Sequence, residues 1–180
     1  MLEPSSGYSE VVFMKAAQVG GSEVGLNLTG WALSQGQGPV MILLPTSTKA
    51  RKFSKKRLTP LIELSQDLSK KILSTGDKDE NNSLMEKIFP NASLTMAGAN
   101  TSDSLKSDPI RHLIAEEITS YPRDVENEGD PLELAYQRTK TFQDSRKIFY
   151  ISTPGLRRTC RVNQKWLSSD QRKFYVPCPH

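Results

Sequence analysis

Two cysteines, two histidines and no long apolar run leave this 180-residue chain without several common structural signatures. Cys160 and Cys178 do not form the dense pattern of a disulfide-stapled secreted domain, so the expected setting is a reducing cytoplasm. No apolar stretch approaches the ~20 residues that span a bilayer, so no membrane partner is expected. The opening Met1-Leu-Glu-Pro-Ser-Ser6 has no basic segment followed by an apolar one, so no secretory signal is visible. Apolar residues reach only 36% and charged residues 24%, the balance of a water-facing, loop-rich fold. The length suits one domain with its own core. A net charge of +4 fits an anionic partner such as DNA, and equally fits proteins with no nucleic-acid role. There is no internal repeat.

What the chain does have is Lys15-Ala-Ala-Gln-Val-Gly-Gly-Ser-Glu23. The apolar run Val11-Val-Phe-Met14 leads into it and a helix-like stretch from Val24 to Leu33 leads out. Strand, glycine turn and helix start are the parts of a phosphate cradle: glycines let the backbone approach a ligand, and free N–H groups at a helix start favour an anion. Ser22 stands where a hydroxyl reaches a magnesium ion, and Lys15 supplies a point charge for phosphate. The standard loop is G-x-x-x-x-G-K-[ST]. Here Gly21 occupies the lysine position, and the lysine stands at the front of the loop. Taken alone, the stretch also reads as an ordinary strand–turn–helix.

Residues 1–9 read as a polar arm and Glu10–Met14 as a buried-type strand. A helix is expected from Gly20 to about Ser34, a turn over Gln35–Pro39 and a strand over Val40–Leu44. Ser47 reads as the cap of a basic helix carrying Lys49, Arg51, Lys52, Lys55, Lys56 and Arg57; this is a phosphate-tracking face or a solvated surface. A second helix is expected over Thr59–Leu73, starting near Pro60, and a polar loop over Gly76–Ser83. Leu84–Ile88 and Ser93–Ala97 read as a hairpin, and Gly98–Asp108 as a mobile loop. Ile110–Ala115 is a third buried-type run, followed by a loop over Thr119–Asp130 and a helix over Pro131–Phe142. Ile148–Ile151 is the fourth run. A short helix over Thr159–Leu167 and a last strand over Arg172–Val176 follow. Short apolar runs alternating with helices predict an α/β fold, its mostly parallel sheet covered by helices on both faces.

Three polar features then fall at C-terminal strand ends: the glycine loop, Glu116-Glu117 and Ser152-Thr153. Ligands bind at that edge of an open α/β sheet. An acidic pair there suits a nucleotide hydrolase, in which one carboxylate holds magnesium and the next activates water. Each pair also reads, alone, as a polar strand end entering solvent.

Several stretches in combination carry a resemblance: Val11-Val-Phe-Met-Lys-Ala-Ala-Gln-Val-Gly20, Leu94-Thr-Met-Ala-Gly-Ala-Asn100, Pro109-Ile-Arg-His-Leu-Ile-Ala-Glu-Glu-Ile118, Glu128-Gly-Asp-Pro131, Arg138-Thr-Lys-Thr-Phe142, Ile151-Ser-Thr-Pro154 and Tyr175-Val-Pro-Cys-Pro-His180. From about Leu2 to His180 the chain resembles the ATPase region of the large terminase subunit of tailed bacteriophages, in its lambda-type branch. The resemblance implies a RecA-like P-loop NTPase fold and a motor that hydrolyses ATP, with Mg2+, to push double-stranded phage DNA into a procapsid. It places Lys15, Gln18, Val19, Gly20, Gly21, Ser22 and Glu23 around ATP. Glu116 falls on the magnesium-holding acid, together with Ser22, and Glu117 on the catalytic carboxylate. Ser152 and Thr153 fall on the motif that couples hydrolysis to motion. Lys49, Arg51, Lys52, Lys55 and Lys56 are the candidate DNA contacts. The resemblance also implies a homo-oligomeric ring, a small terminase subunit and a portal as partners, and the bacterial cytoplasm as location.

The chain departs from the family pattern in places. Its acidic pair is Glu-Glu where Asp-Glu is usual, which moves the first carboxylate out by one methylene. The ATPase domain is expected over residues 10–176, shortened at both ends, with 177–180 opening a Cys-rich and nuclease region that is absent, so no nuclease activity is expected. Cys178 and His180 do not close a four-ligand zinc site. Cys160 reads as a small buried residue and His112 as a core or interface residue. Arg138, Arg157 and Arg158 are the candidate arginine fingers, beside one from a neighbouring subunit. The other readings are a non-catalytic prophage remnant with residual nucleotide or DNA binding, and a helicase-like ATPase, for which no second motif set is present.

Overall fold

The computed structural model describes residues 2–3, 5–72, 83–106, 108–156, 159–173, 175 and 177. Six strands form one sheet in the order β1-β6-β5-β2-β4-β3, comprising β1 (Glu10–Met14), β2 (Val40–Leu44), β3 (Glu86–Phe89), β4 (Ala92–Gly98), β5 (His112–Glu116) and β6 (Lys147–Ser152). The first five in that order run parallel, and β3 closes one edge antiparallel to β4. The expected mostly parallel α/β architecture is what the chain adopts. Pro90 and Asn91 make the hairpin turn, with Asn91 at φ 59° where glycine or asparagine is favoured.

β2, β5 and β6 are buried along their whole length, which is why they read as continuous apolar runs rather than alternating ones. Ile42, Ile114, Phe149 and Ile151 face a core with α1 (Gly21–Ser34) and the helices after β2, while Leu43, Leu113, Ala115, Ile148 and Tyr150 face a second core with α5 (Pro131–Gln137) and α6 (Arg161–Leu167). Each fully buried aliphatic contributes about 1.5–3 kcal/mol.

The segment after β2 departs from expectation. Thr46, not Ser47, caps α2 (Ser47–Phe53): its extended backbone lets the side chain accept the Lys49 N–H at 3.2 Å, while Ser47 N–H bonds Asn100 Oδ1 at 2.9 Å. Instead of two helices meeting at Thr59, α2 runs through a π-helical turn (Ser54–Leu58) into α3 (Thr59–Leu64), a continuous rod. The buried residues explain the widened turn. Ala50, Ser54, Leu58 and Ile62 are spaced by four, and an α-helix drifts about 40° per four residues. The wide turn corrects that drift and holds all four on one face. It also precedes Pro60, whose ring would press on a carbonyl inside a regular helix. α4 (Gln66–Lys71) follows a break at Ser65, which caps it by accepting the Leu68 N–H.

Further differences are smaller. α1 begins at Gly21, with Gly20 as its cap. α5 stops at Gln137, and Lys140–Phe142 forms a separate 3-10 turn. The expected mobile loop after β4 is anchored: Ala99 N–H bonds Leu44 O at 2.7 Å, Ser102 bonds Glu126, and Leu105 is buried. The polar arm is held where Lys147 Nζ donates to Ser6 O and Tyr8 O and Ile148 N–H to Ser9 O. Arg172, Lys173 and Tyr175 lie in no strand, contrary to expectation, and Phe174 and Val176 are outside the described residues. Leu73 and most of the expected 76–83 loop, with Arg157, Arg158, Cys178 and His180, are also outside them. Among the described residues, no helix is long and apolar enough to cross a membrane.

Candidate nucleotide site

Five parallel strands end along one edge, and the polar motifs gather there. β1 ends at Met14, beside Ser152 of β6, and Glu116 of β5 stands beside Ile151. The loop that leaves β1 is tied at its root, where Lys15 N–H bonds Ser152 O at 3.1 Å. Residues 16–20 are exposed, with Gln18 at φ 58° and Gly20 at φ 79°. That left-handed pair turns the chain into α1. No side chain caps α1, so its first N–H groups and the positive end of its dipole face the loop.

The displaced lysine has a structural explanation. A Cβ at Gly21 would overlap Cδ and Cε of Lys15 and lie 3.2 Å from Ile151 Cγ2. The Lys15 stem therefore crosses the space that a side chain at position 21 would fill. The lysine and the glycine share one space: a side chain at position 21 would have to displace the Lys15 stem from the path it takes here.

Ser22 Oγ donates to Glu116 Oε2 at 3.1 Å, joining the loop helix to the acidic pair across 94 positions of sequence. Glu116 is 4% exposed, and its Oε1 has no hydrogen-bond partner among the described residues. Burial pushes its pKa up to about 7, opposed by the Ser22 hydroxyl and the Lys15 charge and reinforced by Glu117. A buried carboxylate with one idle oxygen beside a serine hydroxyl is a donor set suited to a hard divalent cation. The extra methylene of glutamate is accommodated while the Ser22 contact is kept. Among the described residues, no cluster of three or more His, Cys, Asp or Glu forms a separate metal site.

Glu117 turns the other way. At φ 56° it caps the 3-10 turn Ile118–Ser120, and its N–H bonds Ile151 O at 2.8 Å. Its exposed carboxylate takes an ion pair from Lys49 Nζ at 2.7 Å. Ser152 is buried; Ser152 Oγ bonds Thr119 Oγ1 at 2.9 Å, and Thr119 Oγ1 donates to Thr153 O at 3.1 Å. Ser152 therefore touches both candidate motifs, the loop through its carbonyl and the segment after the acidic pair through its hydroxyl. Thr153 is exposed at the rim.

The structure thus brings together Lys15, Gly21, Ser22, Glu116, Glu117 and Ser152, with Gln18, Val19 and Gly20 on the rim. Arg51, Lys52, Lys55 and Lys56 are exposed along the rod, whereas Lys49 is drawn into the site. Glu23 is paired with Arg57 from the π-helical turn. Arg138 is engaged in holding the fold, since its guanidinium donates to Lys106 O at 2.9 Å and its carbonyl accepts Ile110 N–H at 2.9 Å. Cys160 is a buried free thiol bonded by Gly155 N–H, and His112 is buried against Trp31. Thr119 and the Arg57 pairing carried no signal in the sequence, because both depend on segments meeting in space.

Parallel strand order, a loop feeding a helix N-terminus and a serine–carboxylate contact beneath it define a P-loop ATPase fold of the RecA-like type. The family described as phage terminase large subunit gpA, ATPase domain, matches residues 1–180, and the chain belongs to it. It is 28% identical over 173 residues to the terminase large subunit of Escherichia phage lambda, and 25% identical over 172 residues to that of Enterobacteria phage P21. Those alignments cover 95% and 94% of this chain but 27% of each relative, so the chain spans about a quarter of their length. Among solved structures it is similar in fold to the large terminase ATPase domain of Thermus phage P74-26, with TM-score 0.57 and 14% identity, covering 84% of this chain and 63% of that one. It is likewise similar to the HK97 bacteriophage large terminase, with TM-score 0.62 and 12% identity, covering 83% of this chain and 30% of that one.

Proposed function

We propose that this chain binds and hydrolyses ATP at the Lys15–Glu23 loop, as the motor domain that drives double-stranded phage DNA into a procapsid. The observation that carries the reading is the Ser22–Glu116 contact at 3.1 Å, with the idle Glu116 Oε1 below an uncapped helix start. Gln18 to Ser22 wrap the phosphates and Lys15 neutralises them from the loop front. The apolar cleft lined by Leu2, Val24, Leu28 and Trp31, farther along α1, is where the base rests.

Ser22 Oγ and Glu116 are the groups that would hold Mg2+, which when bound screens phosphate charge and orients the leaving group. Glu117 takes the proton of the attacking water as its oxygen bonds to the terminal phosphorus and the bond to the bridging oxygen breaks. Its exposed, left-handed position at the strand end leaves it free to do so once Lys49 lets go. Ser152, bonded to both the loop and the acidic segment, transmits the change after phosphate leaves. The exposed Arg51, Lys52, Lys55 and Lys56 track the DNA backbone. A ring of copies, a small terminase subunit, a portal and the bacterial cytoplasm complete the proposal on the family resemblance. An assembled site does not favour the remnant reading.

The test is Mg-ATP binding and phosphate release by the purified chain beside Lys15→Ala. Binding and turnover by the wild type, with loss of binding in the variant, support the reading. No binding by either protein overturns it.

A further inference from the structure

Arg57 sits on the π-helical turn, next to Leu58, which is fully buried. Its backbone is therefore fixed to the core while its side chain remains 42% exposed. The guanidinium lies 5.9 Å from the centroid of the Phe53 ring and pairs with the carboxylate of Glu23, in the first turn of α1. Glu23 follows directly on Ser22, so the pair hangs at the lip of the phosphate cradle. The Arg57 charge also reaches Glu116, where it acts with Lys15 to oppose the rise in pKa that burial imposes.

We propose that Arg57 is a phosphate-clamping arginine supplied in cis, which leaves Glu23 when ATP enters and takes the terminal phosphate. The assignment rests on the ATPase reading of the same site. Three observations favour it. The cradle is short of charge, because the standard lysine position is Gly21 and Lys15 is the only cation between residues 15 and 23. Phosphoryl transfer depends mainly on positioned positive charge. The contact that holds Arg57 is also weak: an exposed ion pair contributes about 0–1 kcal/mol, whereas arginine grips phosphate through two parallel, charge-assisted bonds. Finally, Arg138 is committed to Lys106 O, which removes it as a donor to phosphate.

The experiment compares wild type, Arg57→Ala, Arg57→Lys and Glu23→Gln. It measures Mg-ATP and Mg-ADP affinity by displacement of a fluorescent ADP analogue, phosphate release for kcat and KM, and thermal melting. Arg57→Ala is expected to keep ADP affinity within about twofold, lose about tenfold in ATP affinity and lose about a thousandfold in kcat. Arg57→Lys is expected to leave kcat low, because an ammonium cannot reproduce the planar fork. Glu23→Gln removes the competing carboxylate, and ATP affinity rises. The assignment is overturned if Arg57→Ala keeps wild-type ATP-over-ADP preference and kcat. It is equally overturned if Glu23→Gln and Arg57→Ala lose melting temperature and both nucleotides in parallel, the mark of a structural pair. A wild type that binds neither nucleotide overturns the ATPase reading and the arginine with it. A wild type that turns over beside an unaffected Arg57→Ala overturns the arginine alone.

Discussion

Lys49 Nζ lies 2.7 Å from Glu117 Oε2, so the first lysine of the basic rod is paired with the carboxylate expected to activate water. Both side chains are about half exposed, which limits the pair to about 1 kcal/mol or less. Lys49 therefore belongs with the candidate nucleotide site, as Arg57 does through Glu23, and Arg51, Lys52, Lys55 and Lys56 face solvent.

This separates the lysines experimentally. Lys52→Ala with Lys55→Ala is expected to weaken duplex DNA binding and to reduce the salt slope by about one per lysine removed. Lys49→Ala is expected to change phosphate release more than DNA affinity. Fluorescence anisotropy over a salt series distinguishes them, and equal DNA losses would place Lys49 with the others.

Glu117→Gln keeps the shape of the side chain and removes its basicity. Turnover is expected to fall by at least about a hundredfold while ATP affinity is retained. Retained turnover in a phosphate-release assay would remove Glu117 from the chemistry.

The overlap between the Lys15 stem and any side chain at position 21 makes a paired prediction. Gly21→Lys alone is expected to abolish nucleotide binding, because two side chains then compete for one space. Lys15→Gly combined with Gly21→Lys restores the standard pattern and recovers binding. The two changes are thus expected to be strongly non-additive in a titration with Mg-ATP; simple additivity would show that the two positions do not share that space.

Two buried groups set opposing pH dependences. Burial, then the Arg111 charge, lowers His112 to about 4, so the unfolded chain binds the proton more tightly. Its contribution is full above about pH 6.5 and is lost as pH falls towards 4, by about 3 kcal/mol. Glu116, raised to about 7, contributes in the other sense: it stabilises fully below about pH 4.5 and the effect is lost as pH rises through 7. His112→Phe is expected to leave a stability that falls as pH rises across that window, and Glu116→Gln one that rises with it. Denaturant midpoints from pH 4 to 8 measure both, and parallel curves would count against the two burials as the cause.

The parts of the fold that the sequence discloses are those set by local chemistry. β2, β5 and β6 are legible because burial on both faces leaves no polar alternation, and the β3–β4 hairpin because Pro90 and Asn91 specify its turn. The acidic pair and Ser152 are legible because they stand at the ends of such strands, and the loop because its glycines follow the apolar run of β1. The π-helical turn is hidden, since Ala50, Ser54, Leu58 and Ile62 resemble a drifting α-helical stripe until the core they face is known. The substitution of Thr46 for Ser47 as cap depends on Asn100 claiming the Ser47 N–H from another strand end. Lys49–Glu117 and Arg57–Glu23 join residues 68 and 34 positions apart, and no local pattern announces either pair.

Among the described residues, β1 lies at the margin of the sheet, joined by a single ladder to β6. A strand held on one side opens more readily than its doubly paired neighbours. Its amides at Val11–Met14 should therefore exchange hydrogen with solvent sooner than those of β5. A ligand that grips Lys15 pulls on the end of that strand and closes the opening. The edge position thus makes β1 a gauge of occupancy, in which the protection of the Val11 and Phe13 amides, the two that face β6, is expected to report whether the cradle is filled.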